Sequence, residues 1–102
     1  MNKRKPNHPG TILKCHYMEP LQLTVTQVSD ALGLSRKTLS KIVNGHASIA
    51  PELALKLSRA FNTSAEFWLN LQQAYTLWEA AHHSTRWKKT PIFKLQSISA
   101  TH

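Results

Sequence analysis

Three basic side chains recur at helical spacing near the middle of the sequence, at Arg36, Lys37 and Lys41. Residues four apart lie side by side on a helix, so Lys37 and Lys41 form one row. Arg36 forms a neighbouring row with Ser40. Ammonium and guanidinium groups bind anions, and residues 31–51 contain no acidic side chain that would neutralise them. The pattern therefore indicates either a solvated helix face or a surface that contacts a polyanion.

Two successive helical stretches would position this face. The spacing of four apolar and two small residues across them is that of a helix-turn-helix. These residues are Val28, Ser29, Leu32, Gly33, Leu39 and Ile42. The apolar residues would join the two helices, Ser29 is small where they approach, and Gly33 can adopt the left-handed conformation of the turn. The second helix of such a motif, the recognition helix, enters the major groove of DNA, which is about 12 Å wide.

The motif predicts different roles for the polar positions around the recognition helix. Arg36 and Lys37 lie in its first turn, which normally reaches base edges, and either side chain can donate to guanine O6 and N7. Arginine can do so with two parallel hydrogen bonds, and lysine is less selective. Donors at the edges of the groove would bind phosphate. The candidate phosphate contacts are Thr26, Gln27, Thr38, Ser40, Asn44 and Ser48.

Size and charge limit the class of protein. The 102 residues suit one domain, and 13 basic against 5 acidic residues give a formal net charge of +8. This excess favours a nucleic acid, an anionic membrane or an acidic protein as partner. The lone cysteine, Cys15, fits a reducing compartment. No apolar run approaches the ~20 residues that span a bilayer, and the basic start leads into Pro6 and polar residues. We expect a cytoplasmic protein without a membrane partner.

The rest of the chain predicts an all-α domain of five helices, with no strand-like alternation before residue 90. Pro9 opens the first helix and Pro51 the fourth, because proline suits the first helical turn. Capping boxes are predicted at Thr24 with Gln27, which begins the second helix, and at Thr63 with Glu66, which begins the fifth. Ser35 would cap the recognition helix.

The predicted domain organisation has three parts. Residues 1–8 are a flexible basic arm, residues 9–81 form the helix-turn-helix domain with its dimerisation helix, and residues 82–102 are a basic tail. The stretch 91–98 of the tail alternates apolar and polar residues, which predicts either a short strand or disorder. The basic residues of the tail either contact DNA beyond the motif or keep the tail soluble.

The fifth helix, predicted over residues 64–81, has a broad apolar face. We expect Phe67, Trp68 and Leu71 to close the core, while Tyr75 and Trp78 suit a partner surface because aromatics with a polar tip are enriched at interfaces. The predicted dimerisation residues are Leu71, Tyr75 and Trp78. A symmetric homodimer would set two recognition helices about one DNA turn, ~34 Å, apart.

The sequence contains no pattern typical of catalysis, a cofactor or a metal. His82 and His83 are adjacent and cannot share a helix face, and no cysteine or carboxylate lies near them at ligand spacing. Cys15 and His16 lack an orienting partner. There is no glycine-rich phosphate loop. We therefore predict a protein that is not an enzyme and that has neither cofactor nor metal.

Three segments together resemble a known family. They are HPGTILKCHYMEPLQLT, ALGLSRKTLSKIVNG and NTSAEFWLNLQQAYTLW, and over residues 6–80 they are similar to the HigA-like antitoxins, a branch of the Xre/Cro-type helix-turn-helix proteins. The resemblance implies a five-helix domain that binds its own operator as a dimer, represses its operon and neutralises a RelE-like (HigB-type) toxin, a ribosome-dependent mRNA interferase. It also implies that the operator bases are read by Arg36, Lys37 and Lys41.

Two alternatives stay open at this point. One is a stand-alone repressor of the same fold, without a toxin partner. The other is an interaction module whose basic surface binds an acidic protein or RNA.

Overall fold

Five α-helices form most of the regular structure of residues 4–94, which are the residues that the computed structural model describes. They are α1 (Pro9–Ile12), α2 (Val25–Leu32), α3 (Arg36–Val43), α4 (Pro51–Phe61) and α5 (Ala65–His83). A π-helix, Leu13–Met18, continues α1, and a short 3-10 helix, Arg86–Lys89, follows α5. These residues contain no strand, which confirms the all-α class. Residues 91–94 are not a strand, and the rest of the predicted strand lies outside the described residues.

Local hydrogen bonds set the boundaries of the two central helices. The Thr24 hydroxyl accepts from the Gln27 N–H at 3.1 Å, and the Gln27 side-chain oxygen accepts from the Thr24 N–H at 2.8 Å. This is the predicted capping box. Gly33 ends α2 with a φ of 70°, a conformation that glycine adopts without a Cβ penalty. The Ser35 hydroxyl then begins α3 by accepting from the Thr38 N–H at 3.0 Å. The predicted turn between the two helices is therefore confirmed.

The core lies where the π-helix, α2, α3, α4 and the N-terminal half of α5 meet. Val28 and Leu32 of α2 and Leu39 and Ile42 of α3 are at most 3% exposed, so they join the two helices as predicted. Ser29 is fully buried between them, and its hydroxyl donates to the Thr26 carbonyl at 3.1 Å. The other core residues are Leu13, Met18, Val43, Ile49, Ala54, Leu57 and Trp68.

The start of α5 differs from the prediction. Ser64, not Thr63, caps the helix, because its hydroxyl accepts from the Phe67 N–H at 3.0 Å. The Thr63 hydroxyl instead accepts from the indole N–H of Trp68 at 2.7 Å, which satisfies a fully buried side chain. Phe67 was expected in the core but is 36% exposed. The helix also ends at His83, two residues beyond the predicted boundary.

The N-terminal segment packs more closely than the predicted flexible arm. His8 is 7% exposed and caps α1, and the Lys5 ammonium lies 3.4 Å from the Glu79 carboxylate of α5. Gly10 lies so close to α3 that a Cβ there would overlap the carbonyl oxygen of Ile42. His8, Pro9 and Gly10 are therefore buried in the domain, while Lys5 contacts α5 from the surface.

Candidate nucleic-acid interface

The outward face of α3 is cationic. Leu39, Ile42 and Val43 occupy its buried side, and the three predicted base readers are exposed on the other sides. These are Arg36, Lys37 and Lys41. Within residues 4–94 none of the three forms an ion pair. Their charges are therefore available to an anion outside the chain.

The predicted phosphate contacts surround this face, but their side chains are not equally available. Thr26 and Ser48 are exposed. Gln27 has its side-chain oxygen in the capping box, which leaves its amide N–H groups as donors. The Thr38 hydroxyl accepts from Ser35 at 2.9 Å and keeps its own hydrogen.

Ser40 and Asn44 lie together on one flank of α3. The Asn44 amide donates to the Ser40 hydroxyl at 3.4 Å. Ser40 is only half-exposed and borders a groove that Lys14 and Val25 also line. Asn44 is exposed and therefore remains the better placed of the two to donate to an external anion.

The loop after α3 is held by side chains that are distant in the sequence. Gly45 begins it with a φ of 80°. The Gln72 side chain of α5 accepts from the Ile49 N–H at 2.9 Å at the end of the loop. The His8 ring lies 3.8 Å from the position of a Cβ on Gly45, and it lines a cleft together with Ala47. Two contacts from other elements therefore fix this loop.

His8 and Gln72 were not among the site residues predicted from the sequence. The signal for His8 was the proline at position 9, because a proline at the first helical position makes the preceding residue the N-cap. The imidazole Nδ1 accepts from the Gly10 N–H at 2.9 Å and so does the work of a capping oxygen. Gln72 gave no such signal, since its partner is 23 residues away.

The predicted dimerisation residues are partly covered by their own chain. Leu71 packs against the core. The Tyr75 ring meets the His8 ring edge-on at 4.8 Å, and the Trp78 ring stacks on His82 at 3.9 Å. The Lys5 ammonium lies 5.3 Å from the centre of the Tyr75 ring and 5.5 Å from that of Trp78. The three residues therefore line one face of α5, which the N-terminal segment overlies.

The described residues contain neither a candidate metal site nor a candidate membrane span. No group of three or more His, Cys, Asp or Glu side chains in residues 4–94 is arranged to hold a metal ion. No helix in that part of the chain is long and apolar enough to cross a membrane. Cys15 is exposed on the π-helix.

Comparison with known proteins defines the family. A helix-turn-helix family model matches residues 16–68. Antitoxin HigA-1 of Vibrio cholerae is 40% identical over 77 residues, which cover 76% of this chain and 72% of that protein. The structure of Pseudomonas aeruginosa antitoxin HigA with the higBA promoter has a TM-score of 0.80 at 33% identity, and covers 89% of this chain and 99% of that one. The chain belongs to the HigA-like branch of the Xre-type helix-turn-helix family. A relative described as a transcriptional regulator, YbaQ of Escherichia coli, is 39% identical over 78% of this chain and 71% of its own length.

The HigA-like identity agrees with the geometry of the motif. The matched segment contains both α2 and α3 and ends at Trp68, the buried residue with which α5 closes the core. The family consists of DNA-binding regulators rather than enzymes. The resemblance to the HigA-like family that was seen in the sequence is therefore confirmed.

Proposed function

We propose that this HigA-like chain is the antitoxin of a type II toxin–antitoxin system, that it represses its own operon, and that it neutralises a RelE-like (HigB-type) mRNA interferase. The observation that carries the DNA-binding half is the outward face of α3, where three exposed cations have no ion-pair partner among residues 4–94. Similarity to antitoxin HigA-1 supports the toxin-binding half.

In this proposal α3 lies in the major groove of the operator. Arg36, Lys37 and Lys41 read base edges, because they point away from the apolar side that binds α2. Phosphates on the two rims accept from Thr26, Gln27, Thr38, Ser40, Asn44 and Ser48. The N-terminal N–H groups of α2 add the positive end of a helix dipole.

The base-reading role predicts a difference between two alanine variants. Arg36→Ala should relax the preference at one or two base pairs of the operator, at a cost of ~1–3 kcal/mol there. Thr26→Ala should weaken binding to all duplexes alike, because a phosphate contact carries no base information. Fluorescence anisotropy with the upstream DNA and with single-base variants measures both. An Arg36→Ala protein with unchanged operator choice would contradict the assignment.

The proposed homodimer forms through α5. Leu71, Tyr75 and Trp78 are the candidates from sequence, but Tyr75 and Trp78 already contact Lys5, His8 or His82. The exposed Leu77 lies on a different face of α5 and is a further candidate. Leu77 is 56% exposed and lines an open, mainly apolar groove of about 450 Å³ with Leu69 and Ala80. A second copy of α5 in this groove would bring two recognition helices to one side of the DNA.

Sedimentation at micromolar concentration tests this contact. Leu77→Asp should give a monomer, because a carboxylate cannot be buried in an apolar interface without a partner. Leu55→Asp is the matched control, since Leu55 is 63% exposed on α4 and should leave the dimer intact. A monomeric wild-type protein would contradict the proposal.

Co-expression tests the toxin partner. The product of the adjoining reading frame should co-purify with this chain and lose its toxicity. The stand-alone regulator is the second candidate, which similarity to YbaQ supports. Sequence-specific operator binding without any co-purifying partner would favour it over the antitoxin.

A further inference from the structure

His8 connects three parts of the molecule that are separate in the sequence. Its Nδ1 atom accepts from the Gly10 N–H at the start of α1. Its ring meets Tyr75 of α5 edge-on, with 4.8 Å between ring centres. It also lies against the loop after the recognition helix, 3.8 Å from the position of a Cβ on Gly45. These contacts bring the N-terminal segment, α5 and the loop together at one side chain.

The hydrogen bonds of His8 require one protonation state. Because Nδ1 accepts a hydrogen bond, the neutral ring carries its proton on Nε2. A second proton would go to Nδ1 and would face the Gly10 N–H, so that two donors would oppose each other. The protonated ring therefore cannot keep this position.

We propose that neutral His8 is a positioning residue for DNA binding: it holds the Gly45–Ser48 loop where Asn44 and Ser48 reach phosphate, and its protonation releases the loop. This inference rests on the proposed function, since it assumes that the loop contacts DNA. A cleft of about 230 Å³ lies between the loop and α5 and is lined by His8, His46 and Gln72 among others. The cleft gives the released loop and ring space to move.

The charged and titratable groups around His8 decide the direction of the pH effect. Burial lowers the pKa of His8 below its ordinary value of 6.5, and the exposed His46 on the loop lowers it further. The Ala47 backbone and the Glu79 carboxylate of α5 oppose this decrease in pKa. Lys5 pairs with Glu79, and the Tyr75 ring meets the His8 ring edge-on.

The lowered pKa fixes the sign of the effect. The folded chain binds this proton less tightly than the unfolded chain, so the contribution of His8 to stability is complete above pH 6.5. It is lost as the pH falls from there through the folded-state pKa. DNA binding that requires neutral His8 must weaken in the same direction.

The test is the operator affinity of the full-length chain between pH 7.5 and pH 5.5, measured by anisotropy at constant salt. His46→Gln serves as the background for all proteins, because it removes the histidine that lies on the loop itself. His8→Asn is the key variant. Asparagine is a favoured N-cap, so its oxygen can replace Nδ1, but it cannot be protonated.

Three comparisons decide the outcome. On acidification the background protein should lose ~2- to 10-fold more affinity than the His8→Asn variant, the factor that corresponds to one hydrogen bond. Gln72→Ala removes the hydrogen bond from α5 to the Ile49 N–H at the end of the loop. Because a glutamine side chain does not titrate, this variant should weaken binding by the same factor at every pH. Far-UV circular dichroism at each pH confirms that the proteins compared are folded.

Equal pH dependence of the background and His8→Asn proteins, or tighter binding by the background protein at pH 5.5, would overturn the proposal for His8. In both cases specific binding at pH 7.5 would leave the proposed function standing. Absence of sequence-specific binding by every protein at pH 7.5 would instead refute the proposed function.

Discussion

The cations of α3 and the cation at Lys5 have opposite surroundings. Arg36, Lys37 and Lys41 have no ion-pair partner in the described part of the chain, and the nearest acidic residues in the sequence are Asp30 and Glu52. Lys5 lies 3.4 Å from Glu79 and faces two aromatic rings of α5. The same charge is available to a ligand in one region and is used for internal packing in the other.

This difference shows that net charge alone does not locate a binding surface. A formal charge of +8 is distributed over the whole chain, but only cations without internal partners can release counterions from DNA in full. The neighbours of each cation therefore decide its role.

Gly10→Val should have the largest effect, because Gly10 is where the N-terminal segment meets the recognition helix. A Cβ there would overlap the backbone carbonyl of Ile42, which cannot move without shifting α3. We expect a loss of at least ~3 kcal/mol in the free energy of unfolding, measured by urea denaturation.

Gly33→Ala is the control for this substitution. A Cβ at Gly33 meets only the flexible end of Lys56, at 3.8 Å, so the cost should be confined to the strain of a φ of 70°, about 1 kcal/mol. Equal losses for the two variants would show that close approach is not what constrains Gly10.

Ser35→Ala should have an intermediate effect on the recognition helix. It removes the hydroxyl that caps α3 and should cost ~1 kcal/mol of stability. Ala50 begins α4 without a side-chain cap, so Ala50→Ser should stabilise by a similar amount. Thermal unfolding measures both, and a Ser35→Ala protein as stable as the wild type would indicate that α3 does not depend on its cap.

Lys5→Ala should have the smallest effect. The pair with Glu79 is half-exposed, and such pairs contribute at most ~1 kcal/mol, so the loss of stability should be within that range. Operator preference at pH 7.5 should not change, because Lys5 already has internal partners. A change in base preference on removal of Lys5 would undo the distinction between the two regions.

Features that depend on nearby residues could be predicted from the sequence. The capping box of Thr24 and Gln27, the cap at Ser35 and the turn at Gly33 each involve groups within three residues. Helical periodicity likewise predicted which side of α3 is buried.

Features that depend on distant contacts could not be predicted. Thr63 accepts from the Trp68 indole, and this contact leaves Ser64 as the cap. The composition of the arm is basic and polar and gives no sign that the His8 ring at its end meets the Tyr75 ring of α5. Such pairs form only after the helices have packed, and no pattern within one segment indicates them.

The most direct test of the account compares two triple variants that remove the same charges. One replaces Arg36, Lys37 and Lys41 with alanine, and the other replaces Arg86, Lys88 and Lys89, which are exposed in the 3-10 helix after α5. Each loses one arginine and two lysines, so their net charges are equal. The measurement is the ratio of affinities for the operator and for a scrambled duplex at the same salt concentration. We expect the first variant to lose this ratio and the second to keep it, and equal ratios for the two variants would contradict the claim that α3 reads the DNA.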